Sequence, residues 1–168
     1  IVKQIANDPL DLSSDYFEGF ENTTTIPLVN EYIGIDGAEK WDVTRSTNFG
    51  RTRNFINSQI SITGNKALSM DNTINIMNTP SNASLNTSTS TFNLSNYDTA
   101  REIRIEFDYA MYAKPKFDTA NAVWVRNHDA SNWIKLLDYN VDTVNFQPQH
   151  SVSISVTDIF KANNINFT

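Results

Sequence analysis

Apolar and polar residues alternate with a period of two along much of the chain, which predicts strands rather than helices. The clearest case is the segment 103–111, in which every odd-numbered residue is apolar and three of the four between are Arg104, Glu106 and Asp108. Successive side chains of a strand point to opposite faces, so the segment predicts a strand with one buried face. A helix would scatter the same five apolar side chains around its axis.

Two pairs of shorter alternating segments predict hairpins, because each pair flanks a stretch of turn-forming or polar residues. The first pair is 59–63 and 66–70 around Gly64 and Asn65, and the second is 122–126 and 133–137 around the polar residues 127–132.

Residues 151–156 predict a further strand, and the pair Thr157 and Asp158 predicts the cap of a short helical turn that runs to Ala162. The Asn-, Ser- and Thr-rich stretch 78–96 predicts a loop followed by an edge strand, since both Ser and Thr are tolerated in strands. Its apolar anchors are Leu85, Phe92 and Leu94.

Strands separated by turn signals, without long helices, favour an all-β sandwich or barrel over an α/β fold. A chain of 168 residues is long enough to bury the core of one domain. We therefore predict a single β-sandwich domain over residues 15–168, preceded by an extended arm over residues 1–14.

Composition narrows the classes of function. The net charge of −6 disfavours nucleic acid, which is bound by Lys and Arg, and also an anionic membrane surface. No apolar run approaches the ~18 residues that span a bilayer, so we expect no membrane insertion. The chain contains no cysteine, which excludes disulfides and thiolate chemistry. The first residues do not read as a signal peptide, so either the chain is intracellular or a targeting segment lies upstream of it. We favour the second interpretation because Ile1 is not an initiator residue.

Residues 16–21, Tyr-Phe-Glu-Gly-Phe-Glu, resemble the opening of MAM-like jelly-roll modules of the choice-of-anchor J and cleaved-adhesin type. These modules are common in secreted proteins of Bacteroidota. Later segments are similar to further motifs of the same modules in the same order, and the resemblance extends over about residues 15–157. The similar segments are Trp41, residues 64–70, residues 94–97 with 103–109, and residues 123–136.

The resemblance implies a two-sheet antiparallel jelly-roll sandwich without catalysis of its own, in a long secreted or bacterial cell-surface chain exported by the type IX route. Such modules continue with strands that have no counterpart before Thr168. We therefore expect that this chain lacks the final strands and is a fragment of a larger module. The expected partners are other domains or chains of the same surface protein, one of which would supply a completing β-strand.

The first functional hypothesis is a module for adhesion or a structural spacer, and the alternative is a carbohydrate-binding accessory module of a secreted hydrolase or protease. Trp124 is out of phase with its Val neighbours and is predicted at the surface, whereas Trp133 matches a core Trp of the family and is predicted in the core. Sugars stack on exposed rings and hydrogen-bond to polar side chains. The candidate glycan ligands are Trp124, Arg126, His128, Asp129 and Tyr112.

Catalytic and metal motifs are weak in this sequence. No nucleophile elbow or paired-His metal motif occurs, and His128 is interpreted as a solvated turn residue. A hard cation such as Ca²⁺ needs several oxygen ligands, and the candidates are Glu18 and Glu21 near the opening motif and Asp71 after the segment 67–70; the alternative interpretation is that these are surface acids. The resemblance implies a structural Ca²⁺ held by the opening Glu and an Asp of the final strand. The Asp that the family contributes from its final strand has no counterpart here.

Three short segments, at residues 98–100, 118–120 and 142–144, are similar to the Asp-Ser/Thr-aliphatic motif that Bacteroidota use for O-glycosylation of exported proteins. The resemblance implies sugars on Thr99, Thr119 and Thr143.

Overall fold

A computed structural model describes the chain over residues 10–11, 15–21, 41–45, 51–73, 86–94, 102–111, 121–128, 130–139 and 149–166. These residues form ten strands and one short helix, which confirms a β-rich chain. Contacts divide the chain into two compact units, residues 1–93 and 94–168, and each is described by itself. The jelly-roll arrangement, the arm and the single sandwich domain stay predictions.

The described residues of the first unit form three strand pairs. The strands are β1 Leu10–Asp11, β2 Trp41–Arg45, β3 Arg51–Asn57, β4 Ala67–Thr73, β5 Asn86–Ser90 and β6 Phe92–Asn93. Antiparallel pairing joins β3 to β4 and β2 to β5, whereas β1 and β6 form a short parallel pair. The predicted strand within residues 78–96 is confirmed by β5.

The first predicted hairpin exists, but its first strand was placed wrongly. The partner of β4 is β3, and Ile56 of β3, which is only 1% exposed, pairs with Leu68. Residues 59–63 form bends instead of a strand. Asn57 Oδ1 accepts a hydrogen bond from Gln59 N at 2.8 Å, and this turn bends the chain away from the ladder.

The second unit is built around the predicted strand at residues 103–111, which is confirmed as β7, Arg104–Tyr109. It pairs antiparallel with β10, His150–Ser155, and this confirms the strand predicted at 151–156. Along both strands half-buried residues alternate with exposed ones. We call this pair the β7–β10 ribbon.

The short helix α1, Val156–Ala162, follows β10 directly and is confirmed with a corrected cap. The cap is Ser155, whose Oγ accepts a hydrogen bond from Asp158 N at 3.2 Å. Thr157 is buried and its Oγ1 accepts from Ile103 N at 2.8 Å, while Ile103 O accepts from Val156 N at 2.9 Å. A helix cap and an acceptor for Ile103 N both require a small hydroxyl side chain, so the sequence alone does not distinguish the two roles.

The second predicted hairpin is confirmed by β8, Ala122–Val125, and β9, Ile134–Asp138. Tyr139, directly after β9, connects this hairpin to the β7–β10 ribbon. Its ring centroid lies 4.7 Å from that of Tyr109 and 6.2 Å from that of Phe107, and its N donates to Asn121 O at 2.9 Å. None of the described helical residues form a segment long and apolar enough to cross a membrane.

Replacing Ile56 by Ala should lower the free energy of unfolding by about 2–5 kcal/mol, because the truncated side chain leaves a cavity on β3. Urea unfolding followed by circular dichroism measures the change. The matched control is Ile60→Ala, since Ile60 is 42% exposed and should change stability by less than ~0.5 kcal/mol. Equal losses for the two variants would contradict the burial of Ile56.

Replacing Thr157 by Val should cost about 1–3 kcal/mol of unfolding free energy, because Ile103 N loses its buried acceptor while the side-chain shape is kept. Thr157→Ser retains the hydroxyl and removes one methyl group, so it should cost only about 0.8 kcal/mol. Denaturant unfolding compares the two variants, and a Val variant as stable as the Ser variant would refute the role of this hydrogen bond.

Candidate functional site

The outer face of the β8–β9 hairpin carries two Trp residues and two basic residues. Trp124 pairs with Lys135, and the next pair towards the turn is Val125 with Ile134. Side chains alternate between faces, so Arg126 and Trp133, which flank that pair, lie on the same face as Trp124 and Lys135. We call these four residues the Trp–cation face. Each Trp is 45% exposed, and Lys135 is exposed as well.

Each Trp ring of this face is in contact with a cation from the opposite strand. Arg126 Cζ lies 4.4 Å from the centroid of the Trp133 ring, and Lys135 Nζ lies 5.3 Å from that of Trp124. Cation–π contacts at exposed sites contribute roughly 0.5–1 kcal/mol each. They restrict the orientation of the rings, so the face is partly organised before any ligand arrives.

A β-bulge explains why the face is composed of these residues. The register passes from Val123 opposite Leu137 to Trp124 opposite Lys135, so Leu136 is the extra residue in β9. A bulge redirects the side chains that follow it. Here it aligns Lys135 with Trp124 on the exposed side.

The turn at the end of the hairpin fixes His128 by short-range hydrogen bonds. Ala130 N donates to His128 Nδ1 at 3.2 Å, and Ser131 Oγ lies 2.8 Å from Nε2. Ser131 Oγ itself donates to Asn127 Oδ1 at 2.6 Å. The contact with Ala130 N favours the tautomer with the proton on Nε2, facing Ser131. A general base that activates a Ser needs the opposite arrangement, with a free acceptor nitrogen facing the hydroxyl.

The structure brings three of the five predicted glycan ligands to one hairpin: Trp124 and Arg126 on the Trp–cation face and His128 in its turn. The predicted exposure of Trp124 is confirmed. The predicted core position of Trp133 is wrong, because Ile134 points inward and its neighbour must point outward. Sequence reasoning missed Lys135, although the phase of Ile134 could have placed both it and Trp133 outside. Asp129 and Tyr112 lie outside the described residues.

Glu21, a calcium candidate, binds backbone amides. Its Oε1 accepts from Asn65 N at 2.7 Å and from Lys66 N at 3.1 Å, and Lys66 Nζ donates to Glu21 O at 2.8 Å. Gly64 precedes these amides at φ 68°, and a Cβ there would overlap with Glu21 Oε1. Successive amides after a left-handed residue form a concave anion site, and the Glu21 carboxylate fills it.

The other calcium candidates are not brought together with Glu21 by any described contact. Glu18 Oε1 accepts from Phe20 N at 2.6 Å, and the Asp71 side chain lies outside the described residues. Over the part of the chain that the structure describes, no three His, Cys, Asp or Glu side chains are grouped so that they could hold a metal ion. Calcium binding stays a prediction. Thr99, Thr119 and Thr143 also lie outside the described residues.

Comparison with known proteins adds no relative. No family model, no curated protein and no solved structure matches the chain. The resemblance to MAM-like modules therefore stays a prediction.

Replacing Glu21 by Gln should lower the melting temperature at neutral pH and leave it unchanged in acid. The Asn65 amide, with a further contribution from Lys66, holds the pKa of Glu21 below its ordinary 4.5. A depressed pKa stabilises the fold above 4.5, and this stability is lost as the pH falls through the folded-state value. Thermal unfolding at neutral pH and well below 4.5 measures both effects.

The control for this experiment is Asp15→Asn, which removes an exposed carboxylate from the same segment. It removes the same charge as the Glu21 substitution and so measures the effect of net charge alone on the melting temperature. An equal effect of the Asp15 and Glu21 substitutions would refute the assigned role of Glu21 and point to net charge alone.

Proposed function

We propose that this chain is a non-catalytic extracellular module of a larger secreted or cell-surface protein, with a jelly-roll fold, and that it acts in adhesion. The observation that carries the proposal is the Trp–cation face, which holds two half-exposed Trp rings on one hairpin. Exposed aromatic area is removed from water when a partner covers it, so such a face favours binding over a purely spacer role.

The same observation favours carbohydrate as the ligand. Carbohydrate binding is compatible both with adhesion and with the alternative function, a carbohydrate-binding accessory module. The apolar faces of pyranose rings stack on Trp, and their hydroxyl groups hydrogen-bond to polar side chains nearby. The hairpin supplies both kinds of group, since the amide of Asn127 and the hydroxyl of Ser131 lie in the turn that follows Arg126. Rigid β-hairpin strands keep the rings in place and reduce the entropy lost on binding.

The arrangement of the turn supports a binding role over a hydrolytic one. Ser131 and His128 are adjacent, but the proton on His128 Nε2 points at the hydroxyl that a base would have to deprotonate. We interpret the contact as one that shapes the turn.

Substituting either Trp124 or Trp133 by Ala should weaken glycan binding about tenfold, because each ring contributes about 1.4 kcal/mol of stacking. A glycan array with the 168-residue chain identifies ligands, and isothermal titration measures the affinities. Phe17→Ala is the matched control, since Phe17 is 88% exposed and belongs to the first unit. Glycan binding that survives both Trp substitutions would refute the proposed face, and an array without any specific ligand would refute carbohydrate as the partner.

A further inference from the structure

The charge of the Trp–cation face is opposite to that of the whole chain. The chain carries a net charge of −6, yet both charged residues of this face, Arg126 and Lys135, are basic. Each of them lies over one face of a Trp ring, so a sugar that stacks on the remaining exposed area of that ring would lie beside a positive charge. A neutral sugar would accept ordinary hydrogen bonds from these two side chains, whereas an anionic sugar would form the stronger charge-assisted hydrogen bonds with them.

A carboxylate of the protein already contacts the ammonium group of Lys135. Lys135 Nζ contacts both carboxylate oxygens of Asp138, Oδ1 at 2.9 Å and Oδ2 at 3.2 Å. Both side chains of this ion pair are largely exposed, 43% for Lys135 and 70% for Asp138, so solvent screens it and a competing carboxylate can replace it at little cost. The pair demonstrates that a planar carboxylate fits beside the ammonium group.

The spacing of the face suits more than one sugar unit. Trp124 with Lys135 forms one ring-and-cation pair, and Trp133 with Arg126 forms the next, two residues further along the strands. Two residues of a strand correspond to about 7 Å. Two sugar units of one acidic oligosaccharide can therefore each place a pyranose on a ring and a carboxylate at a cation.

We propose that the Trp–cation face binds an acidic oligosaccharide built from uronic acids, with the carboxylates at Arg126 and Lys135 and the rings on Trp133 and Trp124. The planar guanidinium fork of Arg126 matches a carboxylate in two parallel hydrogen bonds. This inference rests on the proposed function, because it specifies the chemical class of the glycan for the same face.

The test compares tetragalacturonic acid with its methyl ester, which keeps the rings and removes the charge. Isothermal titration of the 168-residue chain should give at least tenfold tighter binding of the acid at low salt. The preference should shrink as salt rises, because the interacting charges are exposed. Arg126→Gln and Lys135→Gln should each lower the affinity for the acid about tenfold and leave that for the ester nearly unchanged.

Asp138→Asn is the most informative variant, because it removes the internal competitor of the ligand carboxylate. It should strengthen binding of the acid by about threefold, in line with the small free energy of an exposed ion pair. A merely structural role of Asp138 predicts the opposite sign. Phe17→Ala should change neither affinity.

The outcomes separate this inference from the proposed function. Equal affinity for acid and ester, with both lost in Trp124→Ala, would overturn the acidic specificity and keep the glycan-binding face. Tighter binding of a sulfated tetrasaccharide than of the acid would overturn the assignment to carboxylates. A fall in ester binding equal to that in acid binding for the Arg126 and Lys135 variants would also overturn it. If neither tetrasaccharide binds but other glycans bind through Trp124 and Trp133, the inference about uronic acids is overturned and the proposed glycan-binding function is kept.

Discussion

The packing of Tyr139 against the β7–β10 ribbon is the contact on which the second unit depends. Its ring lies edge-on to Tyr109 and Phe107, and burial raises the pKa of its hydroxyl to about 12. Tyr139 directly follows Asp138, the residue that contacts Lys135. The same few residues therefore fix the end of β9, orient the Trp–cation face and connect the hairpin to the ribbon.

The register of the β7–β10 ribbon, against which Tyr139 packs, pairs apolar residues with apolar ones on one face and polar residues with polar ones on the other. Ile105 pairs with Ile154 and Phe107 with Val152 on one face, while Glu106 pairs with Ser153 on the other. Ser153 Oγ donates to Glu106 Oε1 at 2.6 Å. A one-residue slip would place apolar residues opposite polar ones along the whole ribbon, so the pattern itself selects the register.

This double match explains why the ribbon and the second hairpin were predictable from sequence. In a strand with one buried face, apolar residues recur with a period of two, and this pattern indicates which side chains point into the core. The pattern fails where a side chain bonds to the backbone instead. Asn57 captures Gln59 N, and the segment 59–63, which alternates well, becomes a series of bends.

Contacts between distant residues were beyond sequence reasoning for a related reason. Glu21 reads as a surface acid or a metal ligand, and only the left-handed turn at Gly64, more than forty residues later, makes it an anion held by amides. Thr157 reads as a helix cap, although its hydroxyl accepts a hydrogen bond from Ile103 N, directly before β7. In each case the sequence predicts a side chain that makes polar interactions, but only the fold determines which group it binds.

The Trp–cation face also sets what kind of binding the chain can deliver. It is a shallow surface of four side chains, whose cations already contact rings and, in the case of Lys135, a carboxylate. A ligand gains only the difference between its own contacts and those it displaces, so the affinity of one face is modest. Adhesion requires more than this, and it is obtained when several such modules or several repeats of a polymer engage together, because later contacts form at high effective concentration. Under the proposed function, a repeating acidic polysaccharide bound by several modules of one surface protein satisfies that condition, whereas a single small sugar does not.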